Sequence, residues 1–481
     1  MPSACRKNRF DVIHQVRVSG QTIFSGATYD PFGPASGWVW GNGTAHSRNF
    51  DLRGLLQSQS MVTDTRTLGY DAAGQLIALN DSRHDLDFDY NPLGQLTSFT
   101  SNSSAPLPPS QAMTYDANGN RTSLSESGNS WLYSVQGNSN RLLSSAGPVA
   151  KVYSYDAAGN VVSDGVHSYG YDDRGRLVSV DAGAATYSHN GQGQRVKKDN
   201  GVTTLFAYDE AGRLIGEYEA SGSARQEIVY FDGAPVAVLQ GSSRYYVHTD
   251  QLGTPRQISN GNTVIWRWES DAFGSTLADE DPDGDQVAFT FNGRFLGQYF
   301  DTETGLHYNY YRTYDPGTGR YLESDPIGLN GSLNTYGYVG GNPLSFVDPF
   351  GLIDLKIPGT TGQTTVHANP GPVVTDFRPE HEPAHVHLGN NEGPRVRTDN
   401  FQPLTDRDAR RMTKEQKKFC SNLTDNQKNL IRARQLNVFR YGRAILALLA
   451  TPAIALDSLQ AACQQDPFFC LENTPFVFDD F

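Results

Sequence analysis

GYDAAGQL, at residues 69–76, is one copy of a pattern that recurs along the first half of the 481-residue chain. Further copies are DYNPLGQL (89–96), TYDANGNR (114–121), SYDAAGNV (154–161), GYDDRGRL (170–177) and AYDEAGRL (207–214). Their tyrosines recur at a nearly constant spacing or a multiple of it. The short period is typical of stacked units that are each too small to bury an apolar face alone.

The shared pattern predicts a β-hairpin. The Asp caps the amides of a tight turn and the following Gly supplies a positive φ. The Tyr before the turn and the apolar or Arg residue after it then lie on the two strands. Hairpins placed side by side give a long antiparallel sheet that curls with its own twist.

Charge is distributed unevenly along the chain. The net charge of −13 lies entirely in residues 1–352, whereas residues 353–481 hold 15 basic and 15 acidic residues. Within residues 395–443 there are 13 basic and 5 acidic residues. The acidic part is therefore a poor general nucleic-acid binder, and the basic segment is a candidate for binding one.

No targeting or membrane segment is evident. The N-terminal MPSACRKNRFDVIHQVRV has no apolar run behind its charges, which argues against a secretory signal. The longest apolar stretch, AILALLATPAIAL at residues 444–456, is too short to span a bilayer and contains Pro452. A role outside the producing cell would therefore require dedicated delivery machinery.

The repeats resemble the YD repeats of RHS proteins, as do HTDQLGTPRQI (248–258) and SDAFGS (270–275). Residues 294–352 resemble the RHS core nearly throughout. The resemblance implies a mainly β fold, in which an antiparallel β-spiral forms a shell wall closed by a core plug, and the short chain predicts an incomplete shell. We expect a degenerate N-terminal segment at residues 1–60, YD repeats at 61–293, the plug at 294–352 and a small α+β toxin domain at 353–481.

Two DPxGL motifs lie in the plug, DPIGL at residues 325–329 and DPFGL at 348–352. Two neighbouring carboxylates do not both ionise, so one can hold a proton while the other acts as a base on water. The resemblance implies that Asp325 and Asp348 form an aspartyl dyad that cuts the Leu352–Ile353 bond once. It also assigns to Arg320 the role of holding a carboxylate or the substrate carbonyl. The alternative is that both motifs only form turns.

The candidate toxin chemistry is concentrated in EHEPAHVHL, which contains His381, His385 and His387. HVHL and RVRTDNF predict two strands joined by the turn GNNEGP, so that His385 and His387 share one face. One histidine can act as base on a ribose 2′-OH and another as acid for the leaving oxygen. Arg395, Arg397 and Lys414 are candidates to stabilise the phosphorane charge. This hypothesis predicts a metal-independent RNase without a cofactor.

Two other functions remain open. In the first, the three histidines hold zinc or another divalent metal in a nuclease or peptidase, since HEPAH fits the HExxH pattern with Glu382 as base. However, Pro379 and Pro383 oppose the helix that this motif needs. The second alternative is a non-enzymatic adhesive surface protein that binds carbohydrate.

A toxin of the RHS type also implies partners. We expect secretion or injection into a target cell, for example by type VI secretion in interbacterial competition, with the toxin acting in the target cytoplasm. A cognate immunity protein should bind the toxin through an acidic face. RNA is the expected substrate. Whether Cys463 and Cys470 form a disulfide is left open by their spacing.

Overall fold

The structure is a computed structural model that describes residues 3–7, 13–30, 34–102, 108–352, 354–355, 385–387 and 395–397. The chain divides into two compact units, Met1–Asp209 with Arg213–Gly362, and Glu210–Gly212 with Gln363–Phe481. Within the described residues, no helix is long and apolar enough to cross a membrane. The predictions for His381, Lys414, Cys463, Cys470 and the C-terminal helices lie outside the described residues.

The largest sheet has fifteen strands in sequence order, each antiparallel to its neighbour. They are β1 (Ser3–Lys7), β2 (Ile13–Val18), β3 (Gln21–Tyr29), β4 (Ala35–Trp40), β5 (Ala45–Phe50), β6 (Leu56–Ser60), β7 (Thr65–Tyr70), β8 (Leu76–Asn80), β9 (Asp85–Tyr90), β10 (Leu96–Ser101), β11 (Gln111–Tyr115), β12 (Arg121–Glu126), β13 (Asn129–Val135), β14 (Leu142–Ala146) and β15 (Lys151–Val152). Strands β1 to β6, from the segment without clear repeats, continue directly into the repeat strands.

A short pair, β16 (Ser154–Tyr155) and β17 (Val161–Ser163), separates this sheet from a second one of eleven strands. The second sheet comprises β18 (Tyr169–Tyr171), β19 (Leu177–Val180), β20 (Ala185–His189), β21 (Arg195–Asp199), β22 (Thr203–Tyr208), β23 (Leu214–Glu219), β24 (Ala224–Phe231), β25 (Ala234–Gln240), β26 (Ser243–Thr249), β27 (Pro255–Asn260) and β28 (Thr263–Arg267). Its order is also sequential and antiparallel. The predicted mainly β fold built from a long antiparallel sheet is therefore confirmed.

The repeat turns have the predicted chemistry. In the first copy, Tyr70 pairs with Leu76 across the hairpin, and the amide of Gln75 donates to Oδ1 of Asp71 at 2.8 Å. Gly74 has a φ of 77°, where a side chain would be strained. In each of the other five copies, the tyrosine also pairs with the residue six positions later. These pairs are Tyr90–Leu96, Tyr115–Arg121, Tyr155–Val161, Tyr171–Leu177 and Tyr208–Leu214.

The tyrosine hydroxyls connect successive hairpins, a feature that the sequence pattern did not predict. Tyr90 donates to the carbonyl of Leu76 at 2.7 Å, and Tyr115 donates to that of Leu96 at 2.9 Å. Equivalent bonds join Tyr155 to Leu142, Tyr171 to Val161 and Tyr208 to Arg195. The buried hydroxyl of each of these tyrosines therefore has a hydrogen-bond acceptor, the carbonyl of the residue that ends an earlier turn.

Early strands pack against late ones. Gln59 donates from Nε2 to the carbonyl of Thr249 at 2.9 Å, and Arg83 pairs with Glu269 at 2.7 Å. Both pairs join strands or turns of the first sheet to the end of the second. The sheet therefore returns onto itself within the repeat region.

The plug begins after β28 and contains a four-stranded sheet. Its strands are β29 (Tyr299–Asp301), β30 (Leu306–Asn309), β31 (Arg312–Asp315) and β32 (Arg320–Tyr321), with 3₁₀ turns at Gly328–Asn330 and Val339–Gly341. A third 3₁₀ turn, Asp181–Gly183, lies in the second sheet region. Every residue of β29 to β32 is buried. Phe273, Leu306 and Leu322 share one apolar core with the leucines of the repeats.

Two short strands of the C-terminal region are described, β33 (His385–His387) and β34 (Arg395–Arg397). They pair antiparallel, which confirms the predicted hairpin. His385 lies opposite Arg397, and His387 lies opposite Arg395.

Candidate peptide-cleavage site

The two motif aspartates meet at one arginine of the plug. Nη2 of Arg312 lies 3.2 Å from Oδ2 of Asp325 and 3.1 Å from Oδ2 of Asp348. The side chains of all three residues are at most 4% exposed. Because both carboxylates contact the same nitrogen atom, they are close enough for one charge to influence the ionisation of the other.

Strand alternation explains why Arg312 holds this place. Asn309 of β30 pairs with Arg312 of β31, and Tyr314 of β31 pairs with Tyr321 of β32. Since alternate residues of a strand share a face, and paired residues of neighbouring strands do too, Asn309, Arg312 and Tyr321 lie on the same side of the plug sheet. The guanidinium of Arg312 stacks 3.7 Å from the ring centre of Tyr321.

Arg320 lies elsewhere, and the arginine that contacts both carboxylates is Arg312. Arg320 precedes Tyr321 in β32 and therefore lies on the opposite face of the strand. Its Nη1 donates to Oδ1 of Asn120 at 2.9 Å, and its Nη2 donates to the carbonyl of Asn140. Arg320 thus joins the plug to the repeat turns instead of holding either carboxylate of the dyad.

Asp348 accepts several hydrogen bonds. Oδ2 receives the hydroxyl of Tyr321 at 2.9 Å as well as Arg312, and Oδ1 receives the amide of Leu352 at 2.9 Å. Asn309 donates from Nδ2 both to the Tyr321 hydroxyl at 2.7 Å and to the carbonyl of Asp348 at 2.9 Å. Both carboxylate oxygens of Asp348 are thus held in place by hydrogen bonds from the plug.

The turn at Asp348 is a variant of the repeat turn. The amide of Leu352 binds the carboxylate four residues earlier, as the amide of Gln75 binds Asp71. Gly351 has a φ of 66°, comparable with 77° at Gly74. The residue before the predicted scissile bond is thereby bound through its amide to one member of the dyad.

Asp325 differs from Asp348 in its surroundings. Burial raises the pKa of Asp325 to about 6, an effect that Arg312 opposes and the charge of Asp348 reinforces. Its Oδ1 accepts the amide of Ile327 at 2.9 Å. A pKa of about 6 leaves a fraction of Asp325 protonated near neutral pH, as one member of an acid–base pair for peptide cleavage requires.

The carbonyl of Leu352 approaches Asp325 beside a glycine. A Cβ added at Gly331 would lie 2.5 Å from Oδ2 of Asp325 and 2.9 Å from the oxygen of Leu352. Both oxygens therefore border the space that a side chain at residue 331 would fill. Arg312 donates from Nε to the carbonyl of Gly351, which holds the preceding peptide. Asp348 thus binds the amide of Leu352, and Asp325 borders the same space as its carbonyl oxygen.

Sequence reasoning missed Arg312, Tyr321, Asn309 and Gly331. The first two carry a detectable signal, because a hairpin closed by the turn DPGTGR pairs YRTYD with RYL and puts Arg312 and Tyr321 on one face. Gly331 had no such signal. Its role follows only from two approaching oxygen atoms that belong to distant parts of the plug.

The candidate residues of the C-terminal strands can be placed only by register. His385, Arg397, His387 and Arg395 occupy two neighbouring cross-strand pairs. His385 is also the last residue of HEPAH, and it lies in a strand, whereas the HExxH metal motif requires a helix there. This placement does not fit the peptidase form of the metal hypothesis.

A sheet of Tyr-Asp hairpins that packs against an aromatic plug is the arrangement of the YD-repeat shell class. The sequence profile of the teneurin YD-shell matches residues 67–343, and the chain belongs to this family. The predicted RHS and YD-repeat resemblance is confirmed by relatives that carry RHS and related toxin names.

Two curated relatives illustrate the similarity. The double-stranded DNA deaminase toxin A of Burkholderia cenocepacia is 30% identical over 388 residues, covering 72% of this chain and 25% of the relative. The tRNA3(Ser)-specific nuclease WapA of Bacillus spizizenii is 28% identical over 344 residues, covering 67% of this chain and 14% of the relative. The chain thus spans about a quarter or less of the length of these proteins.

A solved structure shares the fold. The Photorhabdus luminescens Tc holotoxin pore matches with a TM-score of 0.59 and 20% identity, covering 73% of this chain and 20% of that chain. A second solved structure, of TcdB2-TccC3 without its hypervariable C-terminal region, matches with the same TM-score at 21% identity.

Proposed function

We propose that the plug cuts the Leu352–Ile353 bond once, and that residues 353–481 are a toxin separated from the shell by this cut. The observation that carries the proposal is the position of Leu352, whose amide binds Asp348 and whose carbonyl oxygen approaches Asp325. Four relatives are named as a deaminase toxin, as nucleases or as a toxin, which supports the toxin part.

The proposed chemistry is hydrolysis. Ionised Asp348 accepts a proton from water as the water oxygen bonds to the carbonyl carbon of Leu352. Protonated Asp325 donates to the carbonyl oxygen, and Arg312 keeps the pair of carboxylates together. As the intermediate collapses, Asp348 gives its proton to the nitrogen of Ile353, the bond to that nitrogen breaks and the amine leaves. One hydroxyl of the intermediate returns its proton to Asp325, and Leu352 becomes a carboxylic acid. One water is consumed, and the dyad returns to its single shared proton.

The test compares the wild-type chain with Asp348→Asn and Asp325→Asn. The wild type should convert the 52.8 kDa chain into two fragments, residues 1–352 and 353–481, with a new N-terminus at Ile353. Both variants should remain at full mass. A wild-type chain that stays intact, or an Asp348→Asn chain that is cut at the same bond, would show that the dyad does not cleave the chain.

We further propose that the released segment cleaves RNA. The support is the register of the C-terminal hairpin, which pairs each histidine of HVH with an arginine of RVR. In this register each histidine lies directly opposite an arginine, which is the placement expected for an acid–base pair accompanied by two cations. WapA of Bacillus subtilis is named as a tRNA nuclease, and the relative from Bacillus spizizenii as a tRNA3(Ser)-specific one.

Expression of the full chain in a bacterium tests the toxin. Wild type should arrest growth and degrade total RNA, whereas His385→Ala should do neither while still being cut after Leu352. Activity abolished by EDTA would favour a metal-dependent enzyme that uses His381, His385 and His387. Normal growth with wild type would favour an adhesive protein. A toxin would also require delivery machinery and an immunity protein, which should be found as an acidic partner that restores growth.

A further inference from the structure

Two backbone hydrogen bonds tie the chain together across the predicted scissile bond. The amide of Val347 donates to the carbonyl of Leu355 at 3.0 Å, and the amide of Leu355 donates to that of Val347 at 2.7 Å. The two residues form an isolated antiparallel bridge. Val347 immediately precedes Asp348, and Leu355 is the third residue after Leu352. The bridge therefore closes a short loop that contains the bond to be cut.

The upstream end of this loop is fixed by the plug. Val347 is 1% exposed, and the carbonyl of Asp348 accepts a hydrogen bond from Asn309. Inside the loop, the amide of Leu352 is bound to Asp348, and Arg312 holds the carbonyl of Gly351. Once one side is fixed in this way, the bridge restricts where the other side can lie.

The downstream end is held at the bridge by main-chain atoms of Leu355, whose side chain is only half-buried. Main-chain hydrogen bonds to an extended segment bind a peptide without selecting its side chains. Proline is the exception because it has no amide hydrogen to donate.

Asp354 is the other described residue of this segment. It is exposed as a whole residue, whereas its carboxyl group lies against the plug, where burial raises its pKa to about 7 and the charge of Asp348 adds to the effect. This side chain is the alternative anchor for the downstream end, so the test must separate it from the amide of Leu355.

We propose that the bridge between Val347 and Leu355 positions the scissile bond, and that the site accepts any downstream sequence that supplies a backbone amide at residue 355. This inference rests on the proposed cleavage after Leu352. It defines the substrate class of the plug as an extended segment recognised through its backbone. Leu355 is accordingly a positioning residue, acting through its amide.

The test compares Leu355→Pro with Leu355→Ala in the full chain, made by cell-free translation that is stopped at a set time. Gels then follow conversion of the 52.8 kDa chain into its fragments. Alanine keeps the amide and should cleave within about twofold of wild type. Proline removes the donor and should cleave at least about tenfold more slowly, because a small misplacement of reacting groups costs up to about a hundredfold in rate.

A fold control accompanies these variants. Leu355→Pro should not lower the thermal unfolding midpoint when it is added to the uncut Asp348→Asn chain. If it does, a second pair decides: deletion of Asp354 shortens the span from Leu352 to the bridge and should slow cleavage at least about tenfold, whereas Asp354→Ala keeps that span and should not.

The outcomes separate this inference from the proposed cleavage. An uncut wild-type chain would refute the cleavage itself. A cut wild type with Leu355→Pro cleaved within twofold of it would refute the bridge as a positioning device. The same holds if Leu355→Ala is as slow as Leu355→Pro, because the side chain would then be the group that matters. If Asp354→Ala slows cleavage as much as the deletion of Asp354 does, the carboxyl group of Asp354, and not the bridge, anchors the downstream end of the loop.

Discussion

The hydroxyl of Tyr321 donates to Oδ2 of Asp348 at 2.9 Å, in a part of the plug where both side chains are buried. This bond fixes the position of the carboxylate, since a hydrogen bond to a charged group contributes about 1.5–3 kcal/mol. It also connects the dyad to Asn309, which donates to the same hydroxyl.

Tyr321→Phe is therefore expected to slow cleavage by about tenfold, the rate equivalent of about 1.4 kcal/mol. The measurement is the timed appearance of the fragment that begins at Ile353. Tyr336→Phe is the matched control, because Tyr336 is also buried but donates its hydroxyl to the carbonyl of Gly159. Equal slowing by both substitutions would mean that the effect comes from packing or stability and not from Asp348.

Arg312→Lys and Arg320→Lys should separate the two arginines. Lysine at residue 312 cannot contact both carboxylates and the carbonyl of Gly351 together, so cleavage should fall by about a hundredfold or more. Lysine at residue 320 should leave the cleavage rate within a fewfold of wild type, because Arg320 contacts Asn120 and Asn140. If a time course shows that Arg320→Lys slows cleavage more than Arg312→Lys does, Arg320 would instead have the role that the family resemblance implies for it.

Gly331→Ala should block cleavage by steric interference. The added methyl group would lie 2.5 Å from Oδ2 of Asp325, so the carboxylate and the Leu352 carbonyl must move apart. We expect at least a tenfold slower reaction, as for other small displacements of reacting groups. Gly191→Ala is the control, since a Cβ there has no neighbour within 4 Å. Normal cleavage of the Gly331→Ala chain would show that the oxygen pair is not the reacting geometry.

The rate of cleavage should depend on the protonation of Asp325. Burial raises its pKa to about 6, so the protonated donor is abundant below pH 6 and declines above it. The rate should therefore fall by up to about tenfold for each pH unit above 6. Uncut Tyr321→Phe chain, purified and transferred to buffers between pH 5 and 8, allows this measurement. A rate that rises across the same range would assign the opposite protonation state to Asp325.

Stability of the plug against the shell should depend on Arg195 and Asp301. Nη1 and Nη2 of Arg195 bind the two carboxylate oxygens at 2.6 and 2.9 Å, with both side chains 2% exposed. Asp301→Asn leaves a buried cation without its charge partner, so unfolding should become easier by about 3–5 kcal/mol. Thermal unfolding in the uncut Asp348→Asn background checks this. Lys197→Ala, which removes an exposed ion pair, should leave the midpoint unchanged.

Much of the fold could be read from the repeats, because a hairpin turn is local chemistry. The Asp71 carboxylate and the positive φ of Gly74 act within one short turn, and both were predicted from the octapeptide. The pairing of HVHL with RVRTDNF was predicted for the same reason, since few residues separate the two short strands, whereas the His385–Arg397 register came from the structure. The tyrosine hydroxyl bonds between hairpins were not predicted, because their acceptors lie in another repeat.

By itself, the sequence determined the repeated hairpins, the two DPxGL motifs and the change of composition after Leu352. Each depends on residues that are neighbours along the chain. Only the tertiary structure decided which arginine contacts both Asp325 and Asp348. Arg312 and Arg320 are both in the plug. The pairing of β30, β31 and β32 puts Arg312 on the face of the plug sheet that contacts Asp348, and Arg320 on the face that contacts the repeats. The sequence fixes which residues of a strand share a face. Which face of the plug sheet Asp325 and Asp348 contact depends on the tertiary packing of the plug.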